Sequence, residues 1–401
     1  MMEAGVVGKP NVGKSTFFAA ATLQNVTIAN YPFTTIKANR GAAYVRAPCP
    51  HTQHGRPCNP VNSACDNGTR LIPVELIDVA GLVKGAHAGR GQGNQFLDDL
   101  RQAAVLIHVV DAAGSTDADG NIVPVGSHDP AEDLAFLEEE IDLWLAAILA
   151  KGWERTHRLV ELEGKKIEDA VQEKLAGLGF SRAVVTSALR ECALPAKPSL
   201  WKPAEFLKLS RALQRIGKPI LVAANKCDLV GPEAIENLKA AYGPEVFPVA
   251  SEIELALRRA DKAGVVKYGL GGASFEVVHA EKLSPAQVRG LEKVREFLAK
   301  WHSTGVQRVL EHAVFERLKL IPVYPVEDEG KWTDKDGNVL PHAHLVPEGS
   351  TARDLAFKVH TDLGNHFIRA IDAKHRRVVG ADHKLAAGDV IKIVASKLPR
   401  G

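Results

Sequence analysis

Hydrophobic positions along the chain fall into short unbroken runs separated by longer stretches with helical spacing. The runs Val74–Asp78, Val105–Asp111 and Pro219–Asn225 read as strands buried on both faces, as in a parallel sheet. Between the second and third, Leu134, Leu137, Ile141, Leu145 and Ile148 recur at steps of three and four, which predicts an amphipathic helix. The pattern continues through Leu159, Leu162, Ile167 and Val171, with breaks near Gly152 and Gly177–Gly179. A helical insertion over 131–202, protruding as a hairpin, is the expectation. Farther on, Ser284-Pro285 is a cap-plus-first-turn signal for one helix, and a second covers Val306–Leu318. Leu320-Ile-Pro-Val-Tyr324 opens a separate C-terminal domain. There Thr351 and Asp354 form a capping box, the helix buries Leu355 and Val359, and Gly364 stops it.

Composition narrows the class without naming a chemistry. A chain of 401 residues, 45% hydrophobic and 24% charged, can bury two or three ordinary globular cores. No apolar run approaches the roughly eighteen residues of a membrane span, and the N-terminus carries no signal-like stretch, so a cytoplasmic address is expected. The net charge of +2 makes no case for nucleic acid by itself, and sequence-specific DNA binding is not expected. Five cysteines are too few for a disulfide framework; Cys192 and Cys227 read as isolated reduced thiols.

Chemistry begins in the first turn of the chain. Gly8-Lys9-Pro10-Asn11-Val12-Gly13-Lys14-Ser15-Thr16 fits G-x-x-x-x-G-K-S, preceded by a short apolar strand and followed by a helical Phe17–Leu23 segment. Such a loop turns its N–H groups inward at the positive end of a helix and cradles phosphates. Lys14 is expected on the β- and γ-phosphates and Ser15 on Mg²⁺. Downstream, Val74–Gly81 is a strand ending in Asp-x-x-Gly; Asp78 is placed for Mg²⁺ and the Gly81 N–H for the γ-phosphate.

A second motif reads the base. The strand Pro219–Asn225 ends in Asn225-Lys226-Cys227-Asp228. Asp228 can accept from both N1–H and the 2-amino group of guanine, a donor pair that adenine lacks. Binding adenine would leave that carboxylate unpaired, which favours GTP over ATP by roughly 10⁴-fold. Asn225 is expected to hold the base edge and the loop, and the Lys226 stem to lie over the ring. A companion loop, Ala250-Ser251-Glu252, follows another strand end and offers N–H groups to guanine O6.

These motifs, with Asn30-Tyr-Pro-Phe-Thr-Thr-Ile36 and Asp78-Val-Ala-Gly-Leu-Val-Lys-Gly-Ala-His-Ala-Gly-Arg-Gly-Gln-Gly-Asn-Gln-Phe96, resemble the Obg superfamily of translation GTPases, in its YchF (Obg-like ATPase) branch. The resemblance implies an α/β P-loop G domain with a helical, coiled-coil-like insertion. It makes Phe33-Thr34-Thr35 switch I, with Thr35 as a Mg²⁺ ligand, and 81–96 switch II. Lys14, Thr35, Gly81 and Asn11 become the candidate catalytic set. Two departures stand out. The base-reading motif is the guanine form, whereas ATP-preferring relatives carry an altered one. Leu82 stands where many GTPases place the water-orienting glutamine, so unaided hydrolysis should be slow. Asn11 resembles the asparagine that holds K⁺ beside the phosphates in potassium-activated relatives, and His87 is a further switch II candidate. The G domain then covers 1–130, with a cysteine-containing insertion at about 45–70, and 203–320.

From Ile321 onward the chain resembles a TGS domain, a β-grasp module, through Val346–His360, Asp362-Leu-Gly364 and Leu385–Ile393. That implies RNA or ribosome contact, with a protein-docking module as the other reading. Residues 151–215 hold thirteen Lys/Arg against eight Asp/Glu, either a solvated face or a phosphate-binding one. Cys49, His51, Cys58 and Cys65 could bind zinc as Cys₃His, or lie in a metal-free loop. The functional readings are three: a GTP-driven switch on the ribosome, an RNA- or ribosome-binding adaptor with incidental slow hydrolysis, and an ATP-preferring hydrolase.

Overall fold

The computed structural model describes residues 2–23, 40–79 and 101–396. They form two compact units. One holds the described residues of Met1–Leu23, Ala38–Gly41 and Glu75–Val309; the other holds those of Ala42–Val74 and Leu310–Gly401.

In chain order the main elements up to residue 301 are β1 (Glu3–Val7), α1 (Lys14–Thr22), β2 (Arg40–Pro48), β3 (Ala64–Asp66), β4 (Thr69–Asp78), β5 (Val105–Asp111), α2 (Pro130–Ala150), α3 (Trp153–Glu163), α4 (Ile167–Lys174), α5 (Arg182–Cys192), α6 (Pro203–Gly217), β6 (Ile220–Asn225), α7 (Pro232–Tyr242), β7 (Val246–Pro248), α8 (Ser251–Lys262) and α9 (Pro285–Trp301), beside shorter pieces such as the helix His51–His54 and the strand pair Val266–Lys267 and Glu276–Val277. Strands β4, β1, β5, β6 and β7 lie side by side and parallel. Every residue of β5 and β6 is buried, as continuous apolar runs require when helices cover both faces. Their register puts Asp78 beside Val6, His108 beside Val7 and Asn225 beside Asp111, so the strand ends that carry chemistry share one edge of the sheet.

Leu137, Ile141 and Leu145 of α2 and Leu209 and Leu213 of α6 pack with Leu106 and Ile220 of the sheet. Val171, Val185 and the stacked Trp153–Trp201 pair, centroids 4.8 Å apart, belong to the same core. The 131–202 helices therefore pack into the sheet domain's own layer rather than standing off it as a hairpin. Leu162, expected on their apolar stripe, is 80% exposed. Helix α9 starts as its sequence signal requires, with the Ser284 hydroxyl accepting from the Gln287 N–H and the Gln287 side chain returning to Ser284 N–H. The Val306–Leu318 segment is α-helical over Val306–Glu311 and continues as a π-helical turn over His312–Arg317.

In the second unit, β8 (Leu320–Val326), β9 (His344–Pro347), α10 (Ala352–Val359), β10 (Phe367–Asp372), β11 (Arg377–Val379) and β12 (Val390–Ala395) make a mixed sheet of order β9-β8-β12-β10-β11, a β-grasp arrangement. Its core joins Leu355 of α10 to Val323, Val346, Ala370 and Ile391. The capping box forms: Thr351 accepts from Asp354 N–H, and Asp354 accepts from Thr351 N–H. Two details differ from expectation. The helix ends at His360, whose backbone is extended (φ −161°), and Gly364 lies in the next short helix, Thr361–Asn365, against the Phe357 ring. Val359, on the last turn, is 36% exposed instead of buried. The cysteine-bearing segment, expected within the G domain, packs with this unit: Asn59 and Val61 N–H groups donate to the carbonyls of Val339 and Pro341. Among the described residues no helix is long and apolar enough to cross a membrane.

Candidate functional site

Residues Gly8–Gly13 link β1 to α1 at the shared strand edge. Gly13 sits at φ +92°, where an L side chain is strained, and an added Cβ would lie 2.2 Å from the Asn225 Nδ2. Only glycine allows the loop to turn here. Lys14, the first residue of α1, forms an ion pair with Asp78 at the end of β4; both side chains are partly open to solvent. The cation expected on the phosphates and the carboxylate expected on Mg²⁺ are thus in contact, and Ser15, the next residue of α1, is exposed. Lys9 behaves otherwise. Its ammonium is buried against Asp133, at 2.7 Å, and the Thr116 carbonyl, at 3.1 Å, so its side chain is engaged inside the fold. The Asn11 amide, at φ +62°, donates to the Gly120 carbonyl at 2.9 Å.

At the end of β6, Asn225 is 3% exposed and uses both ends of its amide. Nδ2 donates to the Val12 carbonyl at 2.8 Å, and Oδ1 accepts from the Ser251 N–H at 3.1 Å. One side chain therefore locks the Gly8–Gly13 loop, the end of β6 and the start of α8 together. The Ala250 N–H is likewise taken, by the Thr304 carbonyl at 2.8 Å. Neither of these two N–H groups is free for guanine O6 as expected. Lys226 adopts φ +60° and reaches the Asp111 carboxylate at 2.9 Å and the Ser115 hydroxyl at 3.0 Å. Asp228 lies beyond it at the exposed rim, with its carboxyl pushed up from the usual range by desolvation, which its own N–H and Lys226 only partly offset.

Family models match most of this chain: a 50S ribosome-binding GTPase model over residues 3–140, an Obg-like GTPase G4 motif-containing domain over 223–328 and a TGS domain over 332–395. An uncharacterized GTP-binding protein of Methanocaldococcus jannaschii is 50% identical over 398 residues, 99% of this chain and 100% of that protein. The chain belongs to the YchF/Obg-like GTPase family. Within that family, the ribosome-binding ATPase YchF of Escherichia coli O157:H7 is 29% identical over 92% of this chain and 87% of its own length. The crystal structure of a GTP-binding protein from Pyrococcus horikoshii OT3 superposes with a TM-score of 0.78 at 42% identity, covering 98% of this chain and 100% of that one. The Schizosaccharomyces pombe YchF GTPase shares the fold, with a TM-score of 0.58 at 19% identity over 98% and 97% of the two chains.

Set in this P-loop family, the site gains a residue that the motifs did not single out. Asp111, 1% exposed at the end of β5, accepts from the N–H groups of Ala113 and Ser115, the hydroxyls of Ser115 and Thr116, and the Lys226 ammonium. Burial raises its pKa, but the hydrogen bonds from Ser115 and Lys226 outweigh it and hold the carboxyl below its ordinary value. Asp111 is the anchor of Lys226. The only hint in the sequence was a carboxylate closing an apolar strand. Arg258 of α8, buried, similarly ends α1 by donating to the Ala20, Ala21 and Leu23 carbonyls. Thr35, Gly81, Leu82, His87 and the rest of both expected switch segments lie outside the described residues.

Proposed function

We propose that the protein is a Mg²⁺-dependent, guanine-selective GTP hydrolase acting as a switch in translation. The observation that carries it is Asn225 tying Val12 to Ser251, which joins the Gly8–Gly13 loop to the strand end followed by Asp228, exposed and read here as the acceptor for the donor edge of guanine. Lys14 and the N–H groups opening α1 supply positive charge for the phosphates. The donors suit Mg²⁺, a hard cation that takes one or two protein oxygens beside the phosphates: the Asp78 carboxylate pairs with Lys14, and the exposed Ser15 follows Lys14 in the chain. Mg²⁺ bound there neutralises charge on the phosphate oxygens. Thr35 and the Gly81 N–H complete the set in this proposal, and the Asn11 carbonyl oxygen, left over after its amide meets Gly120, is the group offered to K⁺.

Ribosome contact rests on the 50S ribosome-binding GTPase description of the matching model and on the names of the YchF relatives. It carries a cytoplasmic site of action with it. The deciding experiment is competition between GTP and ATP for the purified chain, followed by hydrolysis with and without ribosomes in KCl. Guanine preference with ribosome-stimulated turnover supports the switch. Equal affinity for the two nucleotides overturns guanine selectivity, and ribosome binding with an unchanged rate replaces the switch with an adaptor.

A further inference from the structure

Four potential ligands of the second unit converge although they come from four successive pieces of chain. Cys49 follows β2, His51 opens the short helix His51–His54, Cys58 lies in the loop beyond it, and Cys65 is on β3. Their ligand atoms all lie within 4.8 Å of one another. Cys49 Sγ is 3.7 Å from Cys58 Sγ, and His51 Nδ1 is 3.3 Å from Cys58 Sγ and 3.6 Å from Cys65 Sγ. No disulfide explains the clustering, because a disulfide needs sulfurs about 2.05 Å apart and all three cysteines are free. A tetrahedron with Zn–S of about 2.3 Å and Zn–N of about 2.0 Å has S···S edges of about 3.8 Å and S···N edges of about 3.5 Å. The three distances above match those edges.

A second observation is independent of the ligands. Arg70, paired with Cys65 across the β3–β4 ladder, is fully buried. Its Nη2 donates to the Leu340 carbonyl at 2.6 Å and its guanidinium lies 5.2 Å from the centroid of the Tyr324 ring. Its Nε and Nη1 have no partner, and no carboxylate pairs with it among the described residues. A buried cation needs a counter-charge. Three thiolates and a neutral imidazole around a divalent ion carry a net charge of −1, which supplies it.

We propose that Cys49, His51, Cys58 and Cys65 bind one zinc ion in a closed, structural site that clips residues 49–65 together and so holds the surface they present to the C-terminal module. Four protein ligands leave no position for water or substrate, so the ion is not catalytic. Around the site, the segment presents Asn59, Val61 and Asn62 to the 339–343 backbone and His54 to the face of Trp332, centroids 4.1 Å apart. A zinc clip holds that presenting surface in shape where the loop has little apolar core of its own.

The test is zinc content of the full chain purified with intact thiols, beside Cys58→Ser, His51→Ala and the remote control Cys192→Ser. One zinc per chain in the wild type and the control is expected, with at least a tenfold loss in the two ligand variants. Because zinc loss in a ligand variant can also follow from unfolding, Co²⁺ substitution of the wild-type chain provides a second readout, the visible bands of a tetrahedral thiolate site. Arg70→Met, which keeps all four ligands, should lose zinc faster to a chelator. Absence of both stoichiometric zinc and the cobalt bands in the wild type overturns the proposal, as does full zinc occupancy in Cys58→Ser.

Discussion

The Asn225 amide donates to the carbonyl of Val12 at 2.8 Å, joining the end of β6 to the glycine-rich loop before α1 across 213 residues of sequence. Its other end receives the Ser251 N–H. Asn225→Ala removes both bonds and leaves a buried carbonyl and a buried N–H unpaired, at about 1–3 kcal/mol each. Part of that cost falls on the empty protein and part on the loop geometry needed by phosphate. Affinity for fluorescent GDP should fall by at least about tenfold, the equivalent of 1.4 kcal/mol. An unchanged affinity would show that the bond is not what sets the loop.

Lys226 and Asp111 form a second pair, 2.9 Å apart, in which the carboxylate is buried and the lysine partly open. Asp111→Asn turns an acceptor of several donors into a group with a single acceptor oxygen and an amide facing those donors. Both Asp111→Asn and Lys226→Met are expected to weaken guanine-nucleotide binding. Combined, they should cost clearly less than their sum, because each breaks the same contact. Additive losses in a double-mutant cycle would show that the two residues act separately.

How much of this could be read beforehand depended on whether the chemistry is contiguous in the chain. The phosphate loop and Asn225–Asp228 each carry their geometry in a short stretch, so both were visible. The Asp111 cradle was not, since Lys226 comes 115 residues later and a strand-end aspartate has many uses. Lys9 looked like part of the loop, yet its side chain is captured by Asp133, a partner 124 residues away. Gly364 suggested a helix stop, but His360 had already turned the chain, and the glycine instead makes room for Phe357. The cysteines lack a C-x-x-C pair; only folding of β3 against β4 brings Cys65 to His51.

Arg258 gives a prediction about stability. Its buried guanidinium donates to the carbonyls of Ala20, Ala21 and Leu23, the acceptors left over at the C-terminus of α1, where the helix dipole also favours a cation. Arg258→Leu keeps apolar bulk but leaves those acceptors without their donor. A loss of about 2–4 kcal/mol in urea unfolding is expected. Since α1 begins with Lys14, nucleotide should also dissociate faster. A variant as stable as the wild type would mean that water satisfies the helix end.

His108 sets a pH dependence. It is buried in β5, and burial followed by the nearby Lys9 charge holds its pKa down at about 3, against 6.5 for a free imidazole. Between those values the unfolded chain binds a proton on this residue that the folded chain refuses. Stability therefore falls as pH drops from about 6.5 toward 3, by about 1.4 kcal/mol per unit from this group, and is unaffected by it above that window. Carboxylates add their own acid dependence, so the informative quantity is the difference between the wild type and His108→Leu. Urea unfolding followed by tryptophan fluorescence at pH 6, 5 and 4.5 should give a shallower acid slope in the variant. Identical slopes would mean that His108 takes up its proton in the folded protein as readily as in the unfolded chain.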